Sequence, residues 1–229
     1  MAKIIGAIIF VAAGFLAYGD GVLFERIYIA VLVFMSVIFI KDINMVSVIA
    51  ITTAANLCFM FLFPLLVGAD YQILLKVATY CAMGVSLYRL KTEEYRGVIA
   101  FVLGLCIASE LYWFAIGYPS PVIHWHVFVM MINVWMRHFL FQRVFIMAKY
   151  FPNRYRSLDL DLSLYELGWY YNIVHIVVIF EYFARHLFSY NITIVYYAAP
   201  YVFHGITTYS VFLILLQGYS IMRYQWFKA

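Results

Sequence analysis

Charge is scarce in this chain of 229 residues: Asp, Glu, Lys and Arg make up 11% of it, against about a quarter in soluble domains. Hydrophobic residues fill 67% and the mean hydropathy is +0.93. A water-soluble fold cannot bury that much apolar surface, which excludes a soluble domain and points to a membrane protein. Cysteine is also scarce. Cys58, Cys81 and Cys106 each lie in an apolar run with no C-x-x-C pair, so no disulfide framework is expected and packing as small apolar side chains is.

The missing motifs exclude further classes. No G-x-S-x-G, P-loop, G-x-G-x-x-G, H-x-x-x-H or H-E-x-x-H occurs, so hydrolase, nucleotide-binding and zinc or di-iron readings have no support, and no catalytic set is recognised. No potassium-type selectivity filter is present. The formal charge of +4 sits at the ends of apolar runs rather than in one patch, so nucleic acid is not an expected partner.

Long apolar runs are abundant. Polar punctuation divides the chain into about eight candidate spans (six to eight) near 3–19, 22–40, 43–67, 71–89, 97–117, 121–144, 167–188 and 193–219. Each has the length that crosses a hydrocarbon core, and the expected fold is an all-α polytopic transmembrane bundle forming a single membrane domain. The N-terminal run has no Ala-x-Ala cleavage signal and is read as a retained span, although Gly14, Gly19 and Gly21 weaken it. With the N-terminus inside, eleven of the fifteen basic residues fall on the cytoplasmic side, and only Arg26 and Arg185 fall outside. That asymmetry supports a protein of the cytoplasmic membrane with both termini on the cytoplasmic side.

One connection is longer than the rest, the cytoplasmic segment 149–166. The alternation Leu158, Asp159, Leu160, Asp161, Leu162 fits a short strand, an interfacial segment or a solvated connector, and Arg154 and Arg156 are its candidate contacts with a partner.

Ionisable groups in mid-membrane cost about 2.5–3.5 kcal/mol on insertion scales and need a partner, a wet cavity or an escape to the interface. Lys76 can snorkel toward Asp70. The other polar groups gather in the second half of the chain. Glu110, Asn133, Arg137, His138, Asn172, His175, Glu181 and His204 form an expected polar core, with His124, His126, Arg185 and His186 as an outer layer. At 100° per residue, His126, Asn133 and Arg137 share one face of span six, and His124 and His138 share the opposite one. A helix polar on two sides is expected at the centre, packed by spans five, seven and eight, with Arg137 paired to Glu110 or Glu181.

His124 and His138 on span six match His186 and His175 on span seven in height, as two stacked haems would require. The histidine separations, about 21 and 16.5 Å at 1.5 Å per residue, do not agree, and span seven has no glycine between His175 and His186 to open room for a macrocycle. No metal or cofactor is therefore expected, and haem-binding electron transfer remains only an alternative. The leading expectation is a non-enzymatic channel, transporter or pore-forming subunit. It would act as a homo-oligomer or with a partner membrane or cytoplasmic subunit. A scaffold, sensor or effector anchor working through 149–166 is the second reading.

Overall fold

Large apolar side chains cover the outside of the computed structural model, which describes residues 14, 21–67, 72–90, 96–117 and 124–226. Phe114, Ile73, Ile194, Phe145 and Phe34 face outward, while Arg137, Arg143, Asn133, Asn172, His175 and Glu181 are buried. This inverts the usual soluble pattern and suits a lipid surround.

Seven α-helices and no strand occur among the described residues: α1 (Gly21–Ile38), α2 (Ile43–Val67), α3 (Gln72–Arg89), α4 (Arg96–Ala115), α5 (His124–Tyr150), α6 (Asp159–Phe188) and α7 (Ile194–Trp226). The all-α class expected from the sequence is observed. Four helices, α2, α4, α6 and α7, contain stretches long and apolar enough to cross a membrane. The first expected span, 3–19, lies outside the described residues apart from Gly14, which is buried beside His204 and Thr208.

The segment 149–166 is corrected most. Helix α5 continues to Tyr150 and α6 begins at Asp159, leaving only 151–158 outside a helix. The leucine alternation is a helix start and not a strand. Leu160 and Leu164, four residues apart, are 2% and 3% exposed, whereas Leu162 is 61% exposed, as a 3.6-residue period requires. Asp161 at the third helical position accepts the Leu158 N–H at 2.9 Å, satisfying a donor just ahead of the first turn.

Helices α1, α2, α5, α6 and α7 close a ring, each packed on the next; α3 lies outside it against α5 and α2, and α4 packs on α3. Helix α5 is central, and of its three expected neighbours α6, the helix of span seven, packs on it most extensively, whereas α2 and α3 stand where the helices of spans five and eight were expected. Contacts fix the directions. Arg143 meets Asp161 at one end of the α5–α6 pair, and Asn133 meets Asn172 further along, so the two are antiparallel. Phe24 beside His204 and Tyr28 bonded to Ser210 make α1 and α7 parallel. At the far end of that seam a Cβ on Gly218 would come within 2.5 Å of Phe39 Cζ, so a larger residue there would have to displace the Phe39 ring.

Two apolar cores result. One, including Met45, Ile49, Leu140, Leu164, Val211 and Ile214, fills one end of the ring. The other, with Met83, Ile99, Cys106, Trp113, Met130 and Ile179, joins α3 and α4 to α5 and α6. Cys106 packs as expected, but Cys58 and Cys81 are exposed on the outer surface.

Candidate functional site

The five-helix ring encloses a cavity of about 670 Å³. Its walls begin at the first turns of α1, α5 and α7, with Phe24, Trp125 and Tyr196, and end at Met136 and Leu164 on the edge of the first apolar core. The volume lies in the range of small-molecule sites, about 300–1,000 Å³.

Aromatic side chains dominate the upper wall, and polar groups punctuate it. His175 is 1% exposed and lies between Phe203 (ring centroids 4.4 Å apart), Tyr171 (5.0 Å) and His126 (5.7 Å). Neither ring nitrogen of His175, nor Nδ1 of His126, has a hydrogen-bond partner among the described residues. Buried polar atoms are ordinarily satisfied, so these imidazoles have bonding capacity to offer a water or a ligand in the cavity they line. Tyr28 and Ser210 bond to each other across the α1–α7 seam at 3.1 Å. His204 donates from Nε2 to the Gly14 carbonyl at 2.6 Å and lies tilted against Phe24, ring centroids 3.6 Å apart. Pro200 in the α7 wall lacks the N–H that would bond the Tyr196 carbonyl one turn earlier.

Asn133 closes the lower part of the α5–α6 wall. Its Nδ2 donates to the Gly168 carbonyl and to Asn172 Oδ1, both at 2.7 Å. Arg137, one turn further, runs its stem across Gly168, where a Cβ would approach Arg137 Cγ to 2.7 Å. Its guanidinium carbon lies 3.9 Å from the Tyr165 ring centroid and 5.7 Å from that of Trp169. Stacking on aromatic faces favours arginine over lysine here.

The two carboxylates that the sequence offers Arg137 are engaged by other groups. Glu181 accepts the Val195 and Tyr196 N–H groups at 2.6 and 3.1 Å, so α6 caps the N-terminus of α7. Glu110 pairs with Lys76 at 2.9 Å and lies 3.4 Å from His124 Nε2. Lys76 therefore reaches across to α4; Asp70, the partner expected for it, lies outside the described residues. His124 also approaches the Tyr80 hydroxyl at 3.5 Å, and the Thr79 hydroxyl donates to its backbone carbonyl at 3.3 Å.

The remaining predicted residues sit away from the cavity. His138 packs edge-on to Trp135, whose indole N–H bonds Ser86 on α3. His186 donates to the Tyr182 carbonyl at 2.8 Å and stacks on the Tyr182 ring, and Arg185 lies over Tyr196 at 5.3 Å. His124 and His138 thus face α3 while His175 faces α7. Among the described residues no group of three or more His, Cys, Asp or Glu could hold a metal ion.

Sequence reasoning missed a polar clamp centred on Arg143. This residue is 1% exposed in its side chain and pairs with Asp161 through two nitrogens, one at 2.6 Å. It also donates to Ser47 Oγ at 3.1 Å and to the Arg156 carbonyl at 2.9 Å. Asn44 takes the Arg156 N–H at 2.9 Å and donates to the Arg154 carbonyl at 2.8 Å, while Arg156 pairs with Asp42 at 2.5 Å. In the sequence Arg143 reads as one of the eleven cytoplasmic basic residues, and the signal for its role is an acid at the third position of the helix that follows. Glu25, Tyr28 and Tyr171 of the cavity were also missed, because they stand near span ends where polar and aromatic residues are ordinary.

No known protein family, characterised protein or solved structure matches this chain. Its class therefore rests on its own geometry: an all-α protein with four membrane-length apolar helices and a largely apolar cavity punctuated by polar groups.

Proposed function

We propose that this chain is a multi-pass protein of the cytoplasmic membrane, with eight spans and both ends inside, that admits a small solute into its helix ring from the outer side. It is a transporter-type subunit and not an open pore. The observation that carries this reading is a cavity confined to one end of the helix ring. Its walls start where α1, α5 and α7 begin and stop on the core of Leu140, Leu164 and Ile214. About two turns beyond Met136 along α5, the Arg143 clamp ties α2, α5 and α6 together at that closed end.

The bias of basic residues supports the orientation, placing the clamp and 151–158 inside and the cavity mouth outside. Polar groups in lipid-embedded helices ordinarily face a bundle interior or a wet cavity, and His126, His175 and His204 do so here. The cavity forms within one chain, so the homo-oligomer expected from the sequence is not what builds it. Vesicles of phosphatidylcholine loaded with potassium and carboxyfluorescein test the closed end. Protein-containing vesicles should hold both as protein-free ones do, and a steady leak of either contradicts the reading in favour of a pore.

One observation favours the anchor as a second reading. Residues 151–157 are exposed yet held by the Asn44 and Arg143 bonds, a fixed surface that a cytoplasmic partner could use. Capture of a cytoplasmic protein that depends on the exposed Arg154 supports it, and unchanged capture by Arg154→Ala removes it.

A further inference from the structure

The geometry points to an organic cation, an amine carrying an apolar body, as the class of solute that the cavity accepts; this rests on the reading of the cavity as an open binding site. The charge of the walls carries the argument. Among the described residues that line the cavity, Glu25 is the one acidic side chain, and no lysine or arginine joins it. Among these described residues an anion would meet one carboxylate and no cation, and the Coulomb interaction opposes its entry. A cation meets that carboxylate near the mouth.

The second element is the aromatic wall. Phe59, Trp125, Tyr171, Tyr197 and Phe203 all line the cavity, and ring faces attract cations by about 0.5–2 kcal/mol each, more when water is displaced. Such walls also cover the apolar part of a ligand. The third element is His175, almost fully buried, lining the same space, with neither ring nitrogen bonded among the described residues. A neutral imidazole has one acceptor nitrogen, which suits an ammonium N–H, and His126 stands 5.7 Å from it, centroid to centroid. Carboxylate, rings and acceptor together describe an amine, and each alone would not.

Three probes of one shape and different charge test this: 4-phenylbutylamine, 4-phenylbutanol and 4-phenylbutanoate. Equilibrium binding to the full chain is measured in phosphatidylcholine nanodiscs, with empty nanodiscs subtracted. The amine should bind saturably and at least tenfold more tightly than the alcohol or the acid. Glu25→Gln should lower amine affinity by at least tenfold and leave the alcohol within threefold. The inference is overturned if the acid or alcohol binds as tightly as the amine, if none binds saturably, or if the amine preference survives Glu25→Gln. The comparison on the unsubstituted chain decides the matter should that variant fail to fold. A water-soluble maleimide at Thr207→Cys separates the two readings: labelling without amine preference sinks only the ligand class, whereas a site closed to the reagent sinks the open cavity itself.

Discussion

Arg143 on α5 and Asp161 on α6 are joined by a two-nitrogen ion pair at the closed end of the helix ring, and each also fixes the backbone of 151–158: Arg143 through the Arg156 carbonyl, Asp161 through the Leu158 N–H. One pair therefore does two jobs. It registers the antiparallel helices, and it holds the segment between them.

Removing one partner of a buried pair leaves the other charge uncompensated, at a cost of about 3–5 kcal/mol. Arg143→Ala and Asp161→Asn should each lower the thermal midpoint of the detergent-purified protein by several degrees. Proteolysis within 151–158 should accelerate in both. A midpoint unchanged in either variant contradicts the clamp.

Glu181 caps α7 from a neighbouring helix. Glu181→Gln keeps one acceptor oxygen and loses the charge, and the expected cost is about 1–3 kcal/mol. Hydrogen–deuterium exchange should rise at Val195 and Tyr196, with little change at the C-terminal end of the same helix.

Glycines divide by what surrounds them. Gly168→Ala drives a methyl into the Arg137 stem and should destabilise by about 1–3 kcal/mol. At Gly84 and Gly104 an added Cβ meets nothing within 4 Å, and alanine there should be neutral or stabilising through helix propensity. Melting curves of the three single variants check the order.

Lys76 and Glu110 provide a coupling test. Lys76→Met should destabilise, because it removes the cation beside Glu110, and Glu110→Gln should do the same. Together they should cost less than the sum of the two, by at least about 1 kcal/mol in a double-mutant cycle. Additive losses contradict a direct interaction.

The helical membrane character was legible because it depends on run length and composition, which need no knowledge of contacts. The division of α5 into two polar faces was also open to helical periodicity. What periodicity lacks is register between helices. It offered Arg137 the carboxylates Glu110 and Glu181, but the aromatic shelf of Tyr165 and Trp169 comes from an antiparallel offset that no local pattern encodes. Leu158 to Leu162 mislead for a related reason: five residues satisfy a period of two as well as the start of a helix, and only the exposure of Leu162 between the buried Leu160 and Leu164 decides between them.

Sided labelling of single cysteines tests the central claim most directly. In a background of Cys58→Ser, Cys81→Ser and Cys106→Ala, one cysteine is placed in the cavity wall at Thr207→Cys and another in the exposed segment at Ser157→Cys. A membrane-impermeant maleimide added to intact cells should label Thr207→Cys and spare Ser157→Cys, and inverted membranes should show the reverse. Labelling of Ser157→Cys from outside, or of Thr207→Cys only from inside, would contradict a cavity that opens outward above a closed inner end.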